Sequence, residues 1–258
     1  MRDLVLAVFS VSWLLYLAII IGNNYGIYIY DEPSGIMVSV IAQLAPVIAV
    51  YMLMTVWNDI SSVRDYFDKI CAEESRQKTV ITVCVFTVLH IIIVSVAGEA
   101  NGRSLAFLPA AIGIVFLNYG LAEIAWRGMI FPAFWEHMPF FVSCMLTGVL
   151  HTIYFLPVFW INKETGSVSE FVLFLFLCIF QALILGCIYC ITRSVVACII
   201  SETVIQVMMY FFDGLTLNNP RATVLYMVEI AIVIATMYIF TVKLPGRGWV
   251  DAEKDDFK

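Results

Sequence analysis

Residues 105–135 read LAFLPAAIGIVFLNYGLAEIAWRGMIFPAFW, an apolar run long enough to cross about 30 Å of hydrocarbon, which takes roughly 17–25 helical residues. Glu123 and Arg127 stand inside it. An ionisable group near a bilayer centre costs at least ~2.5–3.5 kcal/mol on insertion scales, so it faces protein or a wet cavity and takes a partner. At i and i+4 on one helix, these two side chains are placed to partner each other. The stretch thus places the chain in lipid and a polar site within it.

Working outward, 62% hydrophobic residues, 13% charged residues and a mean hydropathy of +0.94 exclude an ordinary soluble domain. Further apolar runs lie near Leu4–Gly22, Ile36–Trp57, Val80–Gly98, Pro139–Trp160, Phe171–Ile191, Val195–Phe212 and Ala222–Val242. With the first run they predict an all-α, polytopic membrane protein of eight transmembrane helices. The N-terminal run Leu4–Gly22 is longer than a signal-peptide core and no small-x-small cleavage site follows it before Asn23, so it reads as a retained span. No repeat or soluble domain interrupts the pattern, and residues 1–258 read as a single membrane domain.

Positive charge is retained on the cytoplasmic side of a membrane protein. With the N-terminus inside, 11 of the 14 lysines and arginines fall in inner segments, leaving Arg103, Lys163 and Arg221 outside. Both termini are therefore expected in the cytoplasm, the C-terminal one as an acidic tail over 243–258. Between the second and third runs, residues 58–78 carry Val63, Tyr66, Phe67 and Ile70 at helical spacing among charges. That pattern suits a short helix in the cytoplasmic interface or a solvated loop helix. The net charge of −6 names no partner; the bilayer itself is the expected one, and nucleic acid is not.

At about 1.5 Å per helical residue, Glu123 lies roughly 18 Å from Trp135 and His151 roughly 18 Å from Pro139. The same arithmetic puts Glu202 roughly 13 Å and Gln206 roughly 20 Å past Arg193. Three helices thereby bring a Glu/Arg pair, a His and a Glu/Gln pair to one level. A desolvated glutamate can serve as a general base and a histidine can shuttle the proton or hold an oxyanion, the chemistry of peptide hydrolysis. The same residues can equally form an interhelical hydrogen-bond network that fixes packing. Glu123, His151 and Glu202 lack a clustered metal-ligand motif, so no metal and no cofactor is expected. Membrane carboxylates also mark transport paths, but no second half repeats the Glu/Arg pattern.

Other residues read as structural. The seven cysteines lie nearly all in apolar spans as small hydrophobes, Cys187 and Cys190 without a second ligand pair. His90 is alone in its run and reads as a core histidine, while Glu229 begins near the outer end of the last run without an evident partner. Asn118 and Tyr119, one turn before Glu123, are placed either to orient it or to pack.

The segment GLAEIAWRGMIFPAF resembles the first motif of the type II CAAX prenyl endopeptidase family, also called CPBP or ABI, a family of glutamate intramembrane proteases. That motif has two adjacent glutamates, three residues, an arginine and commonly a glycine; Glu123, Arg127 and Gly128 match, and Ala122 replaces the first glutamate. GVLHTIYFLPVFW resembles the second motif, with Phe155 at the family's histidine and Leu156 and Pro157 retained. His151, one turn away on the same face, is the natural substitute. The third motif follows a Thr-x-Ser turn, here Thr192 and Ser194, and has Glu202 and Gln206 where the family has histidine and asparagine.

The resemblance covers a core over 105–212. It implies a CAAX-endopeptidase-like fold whose candidate catalytic residues are Glu123, Arg127, His151, Glu202 and Gln206. Departures at Ala122, Phe155, Glu202 and Gln206 make the catalytic set an eroded one. The expectation is a non-proteolytic pseudoenzyme that binds a membrane-associated peptide or protein in a regulatory or immunity role. The alternatives are an active intramembrane endopeptidase working through Glu123 and His151 on prenylated or other membrane peptides, and a small-molecule or ion transporter.

Overall fold

The computed structural model describes residues 2–26, 33–161, 168–213 and 219–243. The tail beyond residue 243 and the loop carrying Lys163 lie outside the described residues. The chain is all-α. Helices α1 (Arg2–Asn24) and α2 (Pro33–Val56) pair along their length, α3 (Val63–Ile70) is short, and α4 (Arg76–Ala97) is long. Among the described residues, five helical stretches are long and apolar enough to cross a membrane: Val5–Asn24, Met37–Val56, Arg76–Ala97, Leu105–Trp135 and Val168–Thr192.

The expected continuous helix over 105–135 is broken. A 3₁₀ turn at Leu105–Phe107 leads into α5 (Leu108–Val115), a π-helical turn at Phe116–Gly120, α6 (Glu123–Ala125), a second π turn at Trp126–Ile130 and α7 (Phe131–Trp135). π turns widen a helix by one residue and re-aim its side chains, and they concentrate at functional sites. Here they flank Glu123 and contain Arg127. Gly120 lets this wide segment press on α11 (Val195–Phe211): a Cβ there would collide with Thr203 Oγ1.

The run from Pro139 divides into α8 (Phe140–Tyr154) and α9 (Leu156–Ile161) at Phe155. Pro157 explains the break, since its ring excludes the carbonyl four residues back and it has no N–H to donate. α8 packs most extensively on α10 (Val168–Thr192), where a Cβ on Gly148 would stand 2.7 Å from Ile179 Cα. Small residues at such crossings let helix backbones approach. The Thr-x-Ser turn expected between α10 and α11 is built as read: Thr192 Oγ1 accepts from Ser194 N at 3.2 Å, and Ser194 Oγ caps α11 by accepting from Ala197 N at 3.2 Å. Arg193 between them takes φ +52°, its guanidinium 4.4 Å from the Trp135 ring centroid. A two-stranded ladder, β1 (Glu99–Ala100) with β2 (Phe212–Asp213), ties the end of α4 to the end of α11, and α12 (Pro220–Lys243) packs on α4 and α10.

The segment at 58–78 contains the short helix its spacing predicted. Ser62 caps α3, while Asp65 accepts from Ser61 N at 3.0 Å and from the Ser61 hydroxyl. The Ser61 bonds, followed by those from Ser62, hold the Asp65 carboxyl below its ordinary pKa. Tyr66 and Ile70 are buried against the bundle, the Tyr66 hydroxyl donating to Val47 O at 3.0 Å, and burial raises its pKa. Val63 and Phe67 project outward.

Candidate functional site

The site is assembled from the broken helix, α8 and α11. Glu123 and Arg127 sit one turn apart, and Arg127 Nη1 donates to Glu123 Oε1 at 2.7 Å. Their exposures are 0% and 1%, so water neither screens nor competes for this bond. Such a pair is held by geometry, because removing either member leaves a buried charge without compensation. Glu123 Oε2 and Arg127 Nε have no hydrogen-bond partner among the described residues.

On α11, Gln206 Nε2 donates to Glu202 Oε1 at 2.8 Å, again one helical turn apart. Glu202 lies within electrostatic range of both Glu123 and Arg127. Its Oε2 is without a partner among the described residues. On α8, His151 is held between two rings, with Trp126 at 4.7 Å and Phe155 at 5.2 Å between centroids. It lies within electrostatic range of Arg127. Among the described residues, no hydrogen bond joins it to Glu123 or Glu202.

A second layer fixes these rings. Tyr154 meets Trp126 edge-on at 5.8 Å. The hydroxyls of Ser12 and Tyr154 gather at the Ala42 carbonyl, at 2.9 and 3.0 Å, and 2.9 Å from each other. Trp13 Nε1 donates to the Tyr154 carbonyl at 3.2 Å. The paired helices α1 and α2 thus brace α8 from behind.

The five residues singled out in the sequence therefore converge, as the depth arithmetic expected, but they divide between two surroundings. A cavity of about 240 Å³ is lined by His151 and Gln206 together with Gln43, Tyr119, Phe155 and Gln181, and closed by further aromatic and apolar side chains. Glu123, Arg127 and Glu202 are not among its lining residues. Ala122, where the resembled family has a glutamate, is buried in an apolar cluster with Trp126, Tyr154 and Phe155. Among the described residues no group of three or more His, Cys, Asp or Glu is arranged to hold a metal ion.

Tyr119, left open between orienting and packing, lines the cavity and stacks on Phe155 at 6.1 Å. Gln43 and Gln181 were missed. Each is a lone amide in an apolar run, and a polar side chain in a membrane helix turns toward protein. That signal was there to be used.

The fold defines a class, a helical protein with, among the described residues, five helices suited to crossing a membrane and a buried Glu–Arg pair beside an aromatic cavity. No protein-family profile matches the chain, and no curated protein matches it.

Proposed function

We propose that the chain is an eight-span membrane protein with a CAAX-endopeptidase-like core over 105–212 and both termini cytoplasmic. In this reading it binds a membrane-associated peptide, or a segment of another membrane protein, without cleaving it. The observation that carries the reading is the separation of the acid from the cavity. Hydrolysis needs a carboxylate within reach of a water at the scissile bond, whereas Glu123 is fully buried, engaged by Arg127 and outside the cavity lining.

The lining itself suits binding. Gln43, Gln181 and Gln206 offer amide donors and acceptors that match an extended main chain, and Gln43 Oε1 has no partner among the described residues. Phe155, Phe159 and Phe174 give apolar walls. A volume of about 240 Å³ is below the roughly 300–1,000 Å³ of most small-molecule pockets. It therefore suits a short stretch of side chains.

Titration of the purified protein in lipid nanodiscs with fluorescent peptides, prenylated and unprenylated, tests this. Saturable binding that falls about tenfold in Gln43→Leu is expected, one neutral hydrogen bond being worth roughly that factor. Absence of saturable binding, or equal affinity in Gln43→Leu, overturns it. A second reading, an active peptidase using Glu123 and His151, is favoured by the free Glu123 Oε2. It predicts that His151→Ala abolishes peptide turnover with the fold intact, and an unchanged rate in that variant removes it.

A further inference from the structure

A second acid–base pair lies away from the cavity, between α4 and α12. His90 Nδ1 stands 3.5 Å from Glu229 Oε1, with side-chain exposures of 5% and 1%. Both imidazole nitrogens and both carboxylate oxygens lack a hydrogen-bond partner among the described residues, as do Thr87 Oγ1 and Ser201 Oγ. These four side chains face a single void of about 10 Å³ whose remaining walls are apolar. A void of about that size holds one water when two to four polar groups surround it. The unmet bonds of four buried residues and the empty volume therefore answer each other.

A carboxylate buried without a hydrogen bond is costly, and a proton on the carboxyl removes the charge. We propose that Thr87, His90, Ser201 and Glu229 form a proton-binding site built around one ordered water. On uptake, a proton from solvent forms an O–H bond on Glu229; the acid donates to the water, and the water donates to an imidazole nitrogen of His90. On release that O–H bond breaks and the proton returns to solvent; the water then turns to donate to the carboxylate while it accepts from the hydroxyls of Thr87 and Ser201, which line the same void. With only one carboxylate and one imidazole, the site offers too few ligands for a divalent metal.

The charged and titratable neighbours are few. On α12, Tyr226 is within electrostatic range of Glu229, and on α11, Glu202 is within range of His90. α10 contributes Gln181, Ile184 and Ile188 to the surrounding voids, none of them titratable. Glu202 is also within electrostatic range of Glu123 and Arg127. Ser201 and Glu202, adjacent on α11, serve the two sites separately.

Infrared difference spectroscopy of the full chain in nanodiscs, recorded against pH in sodium and in potassium buffers, tests it. The expected result is a carboxylic-acid carbonyl band that grows on acidification, is lost in Glu229→Gln, changes frequency in Ser201→Ala and shifts its pH midpoint in Glu202→Gln. Coincident spectra of the unmodified chain and a folded Glu229→Gln overturn the proposal. If Glu229→Gln does not fold, Ser201→Ala decides: an unmoved band overturns it, and a moved one supports it. A band that follows the choice of cation at fixed pH also overturns it, in favour of a metal-ion site.

Discussion

Glu123–Arg127 and His90–Glu229 are both buried acid–base pairs, yet they are built in opposite ways. The first joins two residues of one broken helix at 2.7 Å, outside the lining of the aromatic cavity. The second joins two helices at 3.5 Å and borders water-sized voids. A close pair fixed within one helix has no second means of compensating its charges. A wider pair with room for water can trade one partner for another. Burial is the same kind of cost for each, and the packing around it decides whether the pair locks or exchanges.

The largest effect is expected where the first pair is broken. Arg127→Met leaves the Glu123 carboxylate without a counter-charge and should destabilise the protein by about 3–5 kcal/mol, measured by denaturant unfolding in detergent. The double variant Glu123→Gln/Arg127→Met should recover most of that loss. If Arg127→Met unfolds with the unmodified chain, the lock does not exist and the comparison fails.

His90→Leu sets the second pair beside it. The void admits water to the remaining Glu229, so the loss should be about 1–3 kcal/mol, the range for a buried polar group left short of a partner. A loss equal to that of Arg127→Met would put the two pairs in one category. Tyr154→Phe removes the hydroxyl that braces the rings behind the first pair while Ser12 keeps its bond to Ala42 O. It should cost about 0.5–1.5 kcal/mol and leave the second pair's infrared bands in place.

The smallest effect is a contrast with water-exposed charge. Asp65 on α3 has its pKa lowered by bonds from Ser61 and Ser62. A carboxylate of lowered folded pKa adds stability that is present above its unfolded pKa and is lost as pH falls through the folded value. Local protease resistance of α3 should therefore decline in acid for the unmodified chain and be independent of pH for Asp65→Asn. Equal profiles for the two would remove the cap from the account.

The sequence made the first pair visible because i and i+4 are neighbours on any helix, broken or not. It could not make the second visible: His90 and Glu229 meet only once α4 and α12 pack, and each looked solitary in its own run. Glu229, expected near the outer end of its run, proves to be 1% exposed and to face His90. The short helix at 58–78 and the Thr-x-Ser turn were legible because their signals are local. The π turns at Phe116–Gly120 and Trp126–Ile130 were not, since no local residue pattern marks them; the first ends at Gly120, which meets Thr203 on another helix. They also make a uniform 1.5 Å rise an inexact ruler for Glu123, although the level it gave brought the right side chains together.

The account rests most directly on the claim that the Glu123 carboxylate is locked and does not cut. Mass spectrometry of peptide pools incubated with the purified protein in nanodiscs measures this, with Ala122→Glu and Glu123→Gln alongside. Intact peptides from all three proteins are predicted, because restoring a carboxylate at the packed position 122 does not open Glu123 to the cavity. Cleavage by the unmodified chain that disappears in Glu123→Gln would contradict the account and establish a peptidase with a rebuilt site.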